Sequence, residues 1–95
     1  SNPEEAANPI TFKVQLMASS KDIALDATHF KGLGSLSREP VKSLYRNMYG
    51  ETRSYREAEM MQAQAAEKGY PTAYIVAYRS GERIPLKIAL KEVSQ

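Results

Sequence analysis

Apolar and polar residues alternate from Ile10 to Ala18, with Ile10, Phe12, Val14 and Leu16 on one face and Thr11, Lys13, Gln15 and Met17 on the other. A period of two is the pattern of a half-buried strand, whose apolar set faces the core. The same alternation recurs at Leu44-Tyr45-Arg46-Asn47-Met48-Tyr49 and stops at Gly50. It places Leu44, Arg46 and Met48 on one face and Tyr45, Asn47 and Tyr49 on the helix-side face. From Ser54 the period becomes helical. Ser54 and Glu57 form a capping box, helix formers run to Lys68, and Gly69 supplies a left-handed terminator. Tyr55, Ala58, Met61 and Ala65 lie on the helix face that packs on the strands. Ala73 to Tyr78 predicts a strand apolar on both sides, ended by Ser80-Gly81, and leaves open which face Tyr74, Val76 and Tyr78 share.

Weaker patterns fill the gaps. Ser20 or Asp22 caps a short helix carrying Ile23, Ala24, Leu25 and Ala27, Phe30 to Gly34 is a glycine-punctuated loop, and Ser35 to Val41 is a polar edge strand interrupted by Pro40. Pro85 opens a final helix with Leu86, Ala89, Leu90 and Val93 at helical spacing. The order strand, helix, strand, strand, helix, strand predicts an α+β, ferredoxin-like βαββαβ domain with a C-terminal helix. Its four-stranded antiparallel sheet carries both main helices on one face and leaves the other open.

Composition narrows the chemistry. Ninety-five residues suit one domain, taken as 10–95, with residues 1–9 read as a linker end or an expression remnant. Thirteen basic against eleven acidic residues give no cationic run for nucleic acid. The absence of cysteine excludes disulfides and thiolate chemistry, and a single histidine, His29, cannot build a multi-histidine metal site. No catalytic residue, metal or cofactor is expected. No apolar run approaches a membrane span and no signal-peptide pattern opens the chain, so direct membrane insertion is not expected.

The helix-free face holds the candidate binding residues. Gln15 offers two donors and an acceptor suited to sugar hydroxyls and N-acetyl groups, though from pattern alone a solvated strand glutamine is the commoner reading. The Arg46 guanidinium has the fork geometry for a carboxylate, with a plain surface arginine as the alternative. Lys13 adds a second positive charge. Met17, Leu44 and Met48 supply apolar patches for a sugar ring, unless the C-terminal helix covers them.

Val14-Gln15, Leu44-Tyr45-Arg46 leading through Tyr49-Gly50 to Ser54-Tyr55-Arg56-Glu57-Ala58, Lys68-Gly69-Tyr70 and Ala73-Tyr74-Ile75-Val76 occur in an order and spacing that resembles the SPOR (sporulation-related) domain. The resemblance spans about Ile10 to Ile84 and is nearest to the domains appended to N-acetylmuramoyl-L-alanine amidases. It implies non-catalytic binding of peptidoglycan glycan strands that lack stem peptides, at bacterial division septa, in the periplasm or cell envelope. It also places Gln15 at the family's binding-face glutamine. A monomer is expected. The alternatives on the same fold are a single-stranded RNA binder, which needs exposed aromatics and basic flanks, and a protein-interaction module using the sheet face or the edge near Ser35.

Overall fold

The computed structural model describes residues 9–93 and is an α+β fold. Its elements are β1 (Ile10–Ser19), β2 (Leu36–Val41), β3 (Leu44–Thr52), α1 (Tyr55–Lys68), β4 (Tyr74–Arg79), β5 (Glu82–Ile84) and α2 (Leu86–Val93). The strands form one antiparallel five-stranded sheet in the order β2-β3-β1-β4-β5. No helix among the described residues is long and apolar enough to cross a membrane. The linker expected over residues 1–9 lies outside the described residues except for Pro9, whose carbonyl accepts the Ser80 N–H.

The main core lies between the sheet and the two helices. Phe12, Val14 and Leu16 of β1 and Ile75 and Ala77 of β4 pack there with Ala58 and Ala65 of α1 and Ala89 of α2. Phe12 meets Tyr55 edge to face at 5.5 Å. Met61 is half-buried rather than fully enclosed. Leu86 and Leu90 bring α2 onto this same core, and an Arg79–Glu92 ion pair ties it to β4. The C-terminal helix therefore leaves the opposite sheet face uncovered.

Three expectations are corrected. The capping box is closed by relay: Ser54 Oγ accepts the Glu57 N–H at 3.1 Å, but the Ser54 N–H goes to Thr52 Oγ1, which itself donates to Glu57 Oε2 at 2.9 Å. At the other end of α1 the Gly69 N–H reaches the Ala66 carbonyl and the Tyr70 N–H the Ala65 carbonyl, the paired bonds of a Schellman stop. Secondly, Ser80 and Gly81 both have positive φ, as a two-residue hairpin turn of mirror-image type requires, so the chain returns as β5 instead of ending its strand there.

Thirdly, no helix forms between β1 and β2. Ala24, Leu25 and Ala27 are exposed, and Asp26 Oδ1 accepts the His29 N–H, which favours a turn over a continuing helix. The space that a helix would fill is plugged by Phe30 and Leu33, both buried in the main core. Lys31 fixes the loop to α1, with its Nζ donating to the Gly69 carbonyl at 2.9 Å and lying 4.6 Å from the Tyr70 ring centroid. A cation at a helix C-terminus also complements the dipole.

Candidate functional site

Two bulges in the β1–β3 ladder decide which side chains share the helix-free face. Val14 pairs with Tyr49 but Phe12 with Thr52, so Gly50 and Glu51 oppose Lys13 alone. Gly50 has φ +71°, the conformation a glycine bulge uses, and β3 continues through it rather than stopping. Its Cα also lies against Met61, whose Cε would be 2.8 Å from any Cβ there. The second bulge is on β1: Gln15 pairs with Met48 but Met17 with Asn47, leaving Leu16 as the extra residue.

That second bulge corrects the expected strip. Beyond it the faces of β1 exchange, so Met17 shares the face of Asn47, whose Nδ2 lies 3.1 Å from Met17 Sδ and 3.2 Å from its carbonyl oxygen. Met17 does not join Gln15. Leu44 is exposed at the far end of β3, opposite Val41 of the edge strand, and stands apart from the others. Gln15, Lys13, Arg46 and Met48 do come together. Pairing of Gln15 with Tyr74 and of Lys13 with Val76 settles the orientation of β4, placing Tyr74, Val76 and Tyr78 on this face too.

Met48, Val76 and Tyr78 are buried in a second small cluster that contains no helical residue. What covers them is the curl of the sheet and a roof of charged side chains. Glu39, on edge strand β2, accepts from Arg46 Nη1 at 3.1 Å and from the Tyr78 hydroxyl at 2.9 Å. Arg83 Nη1, from the opposite edge strand β5, lies 3.6 Å from the same carboxylate and donates to Gln15 Oε1 at 3.0 Å. Lys13 Nζ reaches Ser37 Oγ at 3.5 Å and Glu51 at 3.7 Å, and sits 5.3 Å from the Tyr78 ring centroid. Gln15, expected outside any core, is 7% exposed. Truncating it would therefore cost stability.

A depression of about 260 Å³ opens over Lys13, Ser37, Glu39, Met48 and Tyr78. A second, of about 470 Å³, is bordered by Tyr74, Val76 and Arg83 together with Tyr55 and Gln62 of α1. Tyr74 is 48% exposed and is the accessible aromatic of the face. Glu39 and Arg83 were not singled out from sequence, and the face of Tyr74 was left open there. The turn dipeptide Ser80-Gly81 was the available signal for Arg83, since a tight hairpin there puts Arg83 opposite Tyr78. Among the described residues no group of His, Cys, Asp or Glu is arranged to hold a metal ion.

Titration of this cluster is coupled to folding. Burial pushes the Glu39 carboxyl upward, but the Tyr78 hydroxyl, the Arg46 guanidinium and the Arg83 charge outweigh it and hold the group below its ordinary value of 4.5. Burial, reinforced by the Glu39 carboxylate, raises Tyr78 well above the usual tyrosine range. A carboxyl depressed on folding contributes stability above its unfolded value, lost as pH falls through the lower folded value. A phenol raised on folding contributes below its unfolded value and is lost as pH climbs past it. Denaturant titrations should accordingly show stability falling below about pH 4.5, with a shallower fall in Glu39→Gln, and a second fall above about pH 10 that Tyr78→Phe flattens. Equal acid slopes for wild type and Glu39→Gln would remove Glu39 from that role.

No family model, curated protein or solved structure matches the chain.

Proposed function

We propose that the chain is a non-catalytic module that binds peptidoglycan glycan strands lacking stem peptides, and so directs a cell-envelope protein to division sites in the periplasm. The observation that carries the reading is the meeting of Gln15, Arg46, Met48 and Lys13 on the one sheet face that neither helix covers. Amide, guanidinium, ammonium and apolar side chains on one sheet face match a sugar polymer bearing N-acetyl groups and carboxylates. The order β2-β3-β1-β4 is compatible with a ferredoxin-like sheet in which the Phe30 loop stands in for the first helix and β5 is added at the edge. This supports the resemblance to SPOR domains. The RNA alternative is less well served, because Tyr78 is buried with its hydroxyl on Glu39 and an acidic residue sits in the middle of the face.

Removing stem peptides leaves a free lactyl carboxylate on each N-acetylmuramic acid, where intact strands have a neutral amide and a bulky peptide. Arg46 is the candidate reader of that carboxylate. Co-sedimentation with sacculi should rise after amidase treatment. Arg46→Lys, which keeps charge but loses the planar fork, should weaken binding to denuded strands, and Arg46→Gln should weaken it about tenfold. Equal binding to treated and untreated sacculi would refute the reading. One observation favours a protein-interaction role instead: β5 pairs only with Ala77, Tyr78 and Arg79, leaving that edge of β4 at Tyr74–Val76 without a strand neighbour among the described residues, beside the larger of the two depressions. Mass that grows with concentration would point that way.

A further inference from the structure

Glu39 and Arg83 come from the two edge strands of the sheet, with β3, β1 and β4 between them, yet their side chains meet over the middle of the concave face. The contact is a clasp. Beneath it lie Met48 and Val76, the apolar floor that a sugar ring would need, and beside it opens the 260 Å³ depression. The carboxylate at the centre of the clasp is surrounded as a bound acid would be: one oxygen faces Arg46 at 3.1 Å and Arg83 at 3.6 Å, the other the Tyr78 hydroxyl at 2.9 Å.

We propose that Glu39 is an internal stand-in for an acidic ligand: its carboxylate holds the position between Arg46 and Arg83 that a sugar carboxylate takes, and binding exchanges one for the other and opens the clasp. The inference rests on the glycan-binding reading and adds the residue that regulates it. Three features make the exchange feasible. The side chains of Glu39, Arg46 and Arg83 are 27%, 32% and 28% exposed, so the pairs are partly solvated and individually weak, open to competition from an acid that brings further contacts. The Tyr78 hydroxyl binds the other oxygen of Glu39 and can keep it as a pivot once the cations let go. Gln15 holds Arg83 at 3.0 Å, so the guanidinium stays aimed at the face after Glu39 leaves. An incoming carboxylate keeps both guanidiniums paired, whereas a neutral amide cannot replace Glu39 without stranding two cations. Selectivity for denuded strands thus comes from the competitor as well as from the reader.

The test uses the full chain, wild type and Glu39→Gln, with denuded glycan strands carrying free lactyl carboxylates or the same strands after carbodiimide amidation. Glutamine keeps an acceptor for Tyr78 and the side-chain shape, while removing the competing charge. Glu39→Gln should bind the free-acid strands roughly three- to tenfold more tightly and the amidated strands no more tightly than wild type, and Arg83→Gln should weaken only the free-acid arm. Unchanged or weaker free-acid binding by Glu39→Gln, or an equal gain on both strands, overturns the exchange while leaving glycan binding standing. If neither protein binds either strand, the glycan reading falls, and a second measurement decides the exchange alone. In NMR titrations with N-acetylmuramic acid, the Arg46 and Arg83 Nε–H signals should move, more in Glu39→Gln than in wild type, and should stay still with N-acetylglucosamine. Signals that ignore N-acetylmuramic acid overturn the exchange.

Discussion

Phe30→Ala is expected to lower stability by about 3–5 kcal/mol, the range for emptying a well-packed aromatic site. Phe30 is fully buried in the main core although it belongs to a loop, and it occupies the space where a helix between β1 and β2 would have packed. The cavity cannot close easily. Its neighbours are strands held in the sheet and a helix stopped by the Gly69 turn, and the loop itself is held at Lys31 and Arg38. For a domain of this size the whole stability is roughly 5–14 kcal/mol, so the variant should melt roughly 15 °C or more below wild type. Circular dichroism melts check this. A shift of a few degrees would mean that the loop is a surface feature whose aromatic ring matters little.

The same residue marks where sequence pattern stops being informative. The long elements were legible because their periods are unmistakable: β1 and α1 carry clean apolar faces, and Ser54 and Gly69 bound the helix. The stretch from Ser20 to Gly34 has helix-forming residues but no face to bury, and its two core residues, Phe30 and Leu33, sit beyond the expected helix. Local propensity favoured helix; tertiary packing used the loop. The bulge at Leu16 was likewise invisible, because alternation along β1 is unbroken in sequence and the shift exists only in its pairing with β3.

For the site, the consequence is specific. Gln15, Lys13, Arg46 and Met48 could be placed on one face from their strand periods, since Lys13 and Gln15 precede the β1 bulge and β3 alternates without interruption from Arg46 to Met48. Met17 lies past it and was misplaced by the same rule. Glu39 and Arg83 could not be joined to them from sequence, as their contact depends on how far the sheet curls.

Asn47→Ala should cost about 2–4 kcal/mol, more than its size suggests, because it removes a hub and not a filler. Asn47 has no exposed surface; its Oδ1 accepts from Arg38 Nε at 2.9 Å, and its Nδ2 donates to Ser19 Oγ at 3.0 Å and to the Met17 carbonyl. Removing the amide leaves a guanidinium N–H and a backbone carbonyl without their partner in a part-buried place, each such loss costing about 1–3 kcal/mol. Arg38 then carries the disturbance outward. Its other nitrogens hold Asp22 and the Ile23 carbonyl, and its guanidinium lies 5.3 Å from the Tyr45 ring centroid, so it fastens the start of the Phe30 loop to the sheet. Amides of residues 20–35 should therefore lose hydrogen-exchange protection in Asn47→Ala before those of β1 and β4 do. In a double-mutant cycle with Arg38→Met the two losses should overlap by about 1–3 kcal/mol, as for residues sharing one network. A cost under about half a kcal/mol, or exchange that rises evenly over the whole chain, would mean that Phe30 and Leu33 hold the loop by packing alone.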